Sequence, residues 1–81
     1  MTPRLPRGMS GRQLAVALEA FGYRITRQTG SHLRLTADAQ GEHHVTVPAH
    51  EVLKVGTLSA ILGEVARHLG ITKSDLVNRL S

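Results

Sequence analysis

The spacing of apolar residues changes period twice along the chain. Leu14, Leu18 and Phe21 fall at i, i+4 and i+7, with Ser10 ahead of them as a helix cap and Gly22 behind them as a stop. That spacing predicts a first helix over residues 11–21. Period two takes over in "YRITRQ", where Tyr23 and Ile25 share one face while Arg24, Thr26 and Gln28 share the other. In "HLRLTA", Leu33, Leu35 and Ala37 oppose His32, Arg34 and Thr36; in "HHVTVP", Val45 and Val47 point inward and His44 and Thr46 outward. Each segment is an amphipathic strand. The connection "TGS" is short enough for a hairpin and "DAQGE" supplies Gly41 for a second turn, so the three strands form an antiparallel meander.

After Pro48 the helical period returns. Leu58, Ile61, Leu62, Val65 and Leu69 repeat at helical spacing from an expected cap at Thr57 to a stop at Gly70. "TKSDLVNRL" predicts a short third helix, with Thr72 and Asp75 resembling a capping box and Leu76 and Leu80 left to dock. The expected fold is α+β, a three-stranded antiparallel sheet packed on helices in the order α-β-β-β-α with a short C-terminal helix. Residues 1–8, interrupted by Pro3 and Pro6 and without apolar periodicity, read as a flexible tail to a single domain over residues 9–81.

Composition narrows the chemistry. With 81 residues there is room for one core, in a domain that buries only about 60 to 65% of its unfolded surface. Cysteine is absent, which excludes disulfides and thiolate zinc sites. No apolar run approaches the ~20 residues of a membrane span, and "MTPRLPRGMSG" holds no stretch of signal-peptide length, so the cytoplasm is the expected compartment, with no membrane partner.

Charge is lopsided. Residues 1–34 carry six arginines against Glu19 alone, a net of +5, and the remainder has a net of −1, for +4 overall. The N-terminal half therefore favours an anionic partner. Within it, Arg27 and Arg34 flank "TGSH", which places His32 at the start of the second strand. RNA cleavage needs a base for the 2′-hydroxyl proton and an acid for the leaving 5′ oxygen, and an imidazole with a pKa near ~6.5 serves either role. Arg27 and Arg34 are placed to hold phosphate oxygens, and Ser31 to orient the ring or a phosphate. Lys54, near the free amides of the second helix, is a further candidate phosphate contact. The competing reading of His32 is a half-exposed strand residue whose ring satisfies a turn carbonyl.

The other histidines carry weaker signals. His43 and His44 are neighbours in a strand and leave opposite faces, so they cannot chelate one ion together. His44 shares the open face with His32 and is a possible second proton donor, His50 reads first as a loop pin, and His68 has no assigned role. No metal or small-molecule cofactor is expected.

Three groups in order, "MSGRQLAVALEAFGYRITRQTGSH", "VTVPAH" and "GTLSAILGEV", resemble the HicA toxins, also called YcfA-like proteins, of toxin–antitoxin systems. The resemblance runs over about residues 9–69. It implies a fold like the double-stranded RNA-binding domain, ribosome-independent endoribonuclease activity on messenger RNA, and inhibition by a HicB antitoxin. The catalytic histidine of that family lies in its Gly-Ser-His group, which matches His32. Two further readings stay open beside it: a double-stranded RNA-binding module without catalysis, and a protein–protein interaction domain with a basic face.

Overall fold

The structure is a computed structural model that describes residues 8–38 and 41–80; apart from Gly8, the segment read as a tail lies outside them. Helix α1 (Gly11–Leu18) starts at a full capping box. The Ser10 hydroxyl accepts from the Gln13 amide at 3.0 Å, and the Gln13 side chain accepts from the Ser10 amide at 2.8 Å. A tight 3₁₀ turn (Glu19–Phe21) carries the helical path to Gly22, whose φ of 91° turns the chain into the sheet. The expected helix over residues 11–21 is thus an α-helix finished by one tighter turn.

Strands β1 (Tyr23–Thr29), β2 (His32–Ala37) and β3 (His43–Pro48) form an antiparallel sheet in the order β1-β2-β3. Helix α2 (Val55–Leu69) lies against β3, α3 (Lys73–Leu80) packs on α2, and α1 contacts all three strands. The fold is α+β with the expected element order. Tyr23, Leu33, Leu35, Ala37, Val45 and Val47 from the sheet meet Leu14, Leu18, Leu58, Leu62 and Val65 from α1 and α2 in one core. Helix α3 adds Leu76 and Val77 to it, and Thr72 caps α3 by accepting from the Asp75 amide at 3.0 Å.

Three local expectations are corrected. Helix α2 begins at Val55 with Lys54 as its cap, three residues before the cap expected at Thr57. Lysine has no acceptor, so the first amides of α2 carry no side-chain cap. Ile25 faces Leu35 in register but is 38% exposed, because β1 is an edge strand. The third correction concerns Gln28. Register shifts between Ile25 and Arg27, so beyond that bulge Arg27 pairs with Arg34 and Gln28 with Leu33. Gln28 therefore turns to the helix side, where its side-chain oxygen accepts from Arg12 of α1 at 3.1 Å, and Arg27 takes its place on the open face.

Candidate functional site

One face of the sheet is left uncovered by the helices, and the period of two loads it with polar groups. Along β2 it presents His32, Arg34 and Thr36; β1 adds Arg24, Thr26 and, through the bulge, Arg27; β3 adds His44 and Thr46. Regular alternation would have sent Arg27 to the opposite side. The bulge at Thr26 is what brings two arginines side by side across the β1–β2 pair, an arrangement that repulsion disfavours in the absence of an anion. Neither guanidinium makes a hydrogen bond or ion pair among the described residues. Arg24, by contrast, is neutralised by Asp38 at 2.9 Å. These groups, with Thr36, Glu42 and His44, line a shallow depression of about 440 Å³.

His32 opens β2 directly after a two-residue turn, in which Gly30 adopts a φ of 55°. Its backbone is held on both sides, opposite Thr29 and opposite Pro48, and the preceding Ser31 carbonyl accepts from the Ala49 amide at 2.6 Å. The side chain itself is exposed. Its ring makes no hydrogen bond among the described residues, so the turn-carbonyl role is not what the structure shows. A rigid backbone thus carries an accessible imidazole.

His32 also lines one end of a groove of about 580 Å³ between the outer side of β3 and α2. Thr57, Ala60, Ile61 and Glu64 form its helical wall, at the i, i+3, i+4, i+7 spacing of a single helix face. Lys54 is exposed at the start of that helix, ahead of Thr57. Of the residues read from sequence, Arg27 and Arg34 share the depression, His32 lies in the adjoining groove, and Ser31 and Lys54 line neither.

His44 lines both cavities. Its Nε2 lies 2.8 Å from Glu42, and its Nδ1 lies 2.9 Å from the Thr36 hydroxyl, which is 2.8 Å from that of Thr26. This chain crosses all three strands and occupies both ring nitrogens. Register places His44 opposite Thr36 and His32 opposite Pro48, four residues further along, or about 13 Å at strand rise. With Glu42 and Thr36 at its two ring nitrogens, His44 is held in place on the surface, whereas the His32 ring makes no hydrogen bond among the described residues. Spacing alone could not reveal these partners.

The remaining histidines have structural surroundings. His43 leaves the opposite side of β3, hydrogen-bonds the Tyr23 hydroxyl through Nδ1 at 2.7 Å and stacks on His68. Burial, then the nearby His68, holds its pKa below the usual histidine value. Burial pushes the Tyr23 hydroxyl above its usual value, and Glu64 adds to the shift. His50 pins its loop through its backbone, accepting from the Gly11 amide at 2.9 Å. No helix among the described residues is long and apolar enough to cross a membrane.

No curated protein and no solved structure gives a significant match to the chain. The family model of the HicA toxins of bacterial toxin–antitoxin systems matches residues 11–71, about three quarters of the sequence, from the start of α1 past the end of α2. The matched span contains the Gly30-Ser31-His32 turn, the sheet and the groove-forming face of α2. The chain therefore belongs to the HicA toxin family.

Proposed function

We propose that this protein is a toxin that acts as a ribosome-independent endoribonuclease on messenger RNA in the cytoplasm, with His32 as its acid–base residue and a HicB-like protein as its antitoxin. The observation that carries the reading is an exposed imidazole without an internal partner, held on rigid backbone beside two unneutralised arginines. Arg27 and Arg34 receive phosphate oxygens and offset charge as it builds on the phosphorane. His32 takes the proton of the 2′-hydroxyl; the 2′ oxygen attacks phosphorus, the bond to the 5′ oxygen breaks, and the imidazolium returns a proton to that oxygen. The products are a 2′,3′-cyclic phosphate and a 5′-hydroxyl. General acid–base help of this kind contributes roughly 100-fold to 10,000-fold, and in-line positioning adds to it, so the chemistry requires no metal.

Labelled RNA incubated with wild-type and His32→Ala protein in excess chelator tests the reading. Cleavage by wild type alone, ending in cyclic phosphate, is the expected result; equal cleavage by both proteins would remove His32 from the reaction. A binding-only reading, in which the fold acts like a double-stranded RNA-binding domain, is favoured by one observation. The start of α2 has amides without a side-chain cap beside exposed Lys54, which suits a backbone phosphate. Binding of duplex RNA without cleavage would select it.

A further inference from the structure

The groove beside His32 differs from the arginine depression in what it lacks. No lysine or arginine is among its lining residues, and its single carboxylate, Glu64, makes no hydrogen bond or ion pair among the described residues. Such a groove repels phosphate. Val45, Pro48, Ala60 and Ile61 give it apolar surface, and Ala60 presents only a methyl group where a longer side chain would fill the space. Its volume of about 580 Å³ lies within the ~300–1,000 Å³ typical of small-ligand sites. His32 at its end makes it continuous with the proposed cleavage point.

We infer that this groove is a nucleobase subsite that selects unpaired guanine next to the cleaved bond, with Glu64 as the specificity-determining residue. An ionised carboxylate only accepts hydrogen bonds, and its two oxygens match a pair of parallel donors. Among the four bases, only guanine presents two adjacent donors on its pairing edge, N1–H and the N2 amino group. Cytosine and adenine each offer one amino group beside a ring-nitrogen acceptor, and uracil offers one N–H between two carbonyls. In each of those a lone pair would face Glu64. The Thr46 and Thr57 hydroxyls, which donate or accept, adapt to the rest of the base edge. In a duplex the pairing edge is already occupied, so the groove takes a base only from single-stranded RNA.

The place of this subsite next to the cleaved bond rests on the nuclease reading; the binding preference does not. The test is therefore a titration of the intact, isotopically labelled protein with each of the four nucleoside monophosphates, followed by amide chemical shifts. GMP is expected to bind roughly tenfold more tightly than AMP, CMP or UMP, the scale of one good bidentate contact, with shifts at Thr46, Ala60, Ile61 and Glu64. Glu64→Gln should erase the preference, since the amide turns one acceptor into a donor. Ala60→Leu, at an exposed helix position, should weaken all four nucleotides by filling the groove. Equal affinities in wild type, a guanine preference that survives Glu64→Gln, or shifts confined to the arginine depression would each overturn the proposal. Mapping the ends of RNA cut by the wild type separates the two readings: cleavage without guanine preference sinks the subsite alone, and guanine binding without cleavage sinks the nuclease alone.

Discussion

His43 and His68 lie face to face, with ring centroids 4.3 Å apart and planes 11° from parallel. One ring comes from the start of β3 and the other from the last turn of α2, so the stack ties sheet to helix. Tyr23 closes the cluster with its hydroxyl 2.7 Å from Nδ1 of His43, while Glu64 and Arg67 stand at its edge. Protonating His43 would place a charge in a partly desolvated site and set it against its stacked neighbour.

Stability should therefore depend on pH in the acid direction. Because the pKa of His43 is lowered by folding, the unfolded chain binds the proton more readily. The stabilisation is complete above the ordinary histidine value of 6.5 and declines as pH falls below it, until the folded protein is protonated as well. Melting temperature should drop between pH 7 and pH 5, and His43→Gln should flatten that slope. An unchanged slope in the variant would place the dependence elsewhere.

His32→Ala should abolish RNA cleavage and growth arrest on expression while changing stability by less than about 0.5 kcal/mol, because the side chain is exposed and its ring has no hydrogen bond among the described residues. RNA binding should persist. Thermal melting and a binding assay on the same preparation check all three outcomes, and a large loss of stability would reveal a structural role.

Removing either arginine of the cross-strand pair should weaken RNA binding and reduce its salt dependence. Each phosphate contact contributes a slope of roughly 0.7 to 0.9 in log affinity against log salt, so Arg27→Ala and Arg34→Ala should each lower the slope by about that amount. Neither should destabilise the fold, since each relieves repulsion with the other guanidinium. Wild-type slopes in both variants would take the pair out of the RNA path.

Leu76 extends the core beyond the matched family region, which ends at residue 71. It is fully buried, so Leu76→Ala should cost about 2–5 kcal/mol, a large share of the stability of so small a domain. Denaturant unfolding measures this. A cost near zero would mean that α3 docks without contributing to the fold.

Local signals were legible in the sequence. The residues between Ser10 and Gly22 specify α1 because its cap, its apolar face and its stop are neighbours in sequence; the strands around Leu33 and Val45 followed from strict alternation. What escaped depends on pairing across distance. The bulge at Thr26 exists only relative to β2, and it reassigns both Arg27 and Gln28. The start of α2 left no trace because Lys54 caps with its backbone alone. The groove arises from how α2 lies along β3, so nothing in the sequence around Glu64 marks it as lining a cavity. Thr36 looked like a solvated outward position, yet its hydroxyl is enclosed by Thr26 and His44.

The entrance to α1 is stitched to the loop that follows β3. The Leu53 amide donates to the Met9 carbonyl at 2.8 Å, the Gly11 amide to His50, and the Ala49 amide to Ser31, the residue before His32. A Cβ on Gly11 would drive into the Pro48 carbonyl, so that seam admits no larger residue. Its amides should behave as one cooperative opening unit, exchanging their hydrogens at a shared rate. Chains that begin at Met9 should keep that rate low, and chains that begin at Gly11 should raise it at Leu53 and, through the same seam, at Ala49. Breathing at the amino end of the domain would thus set how steadily the Ser31-His32 backbone is held.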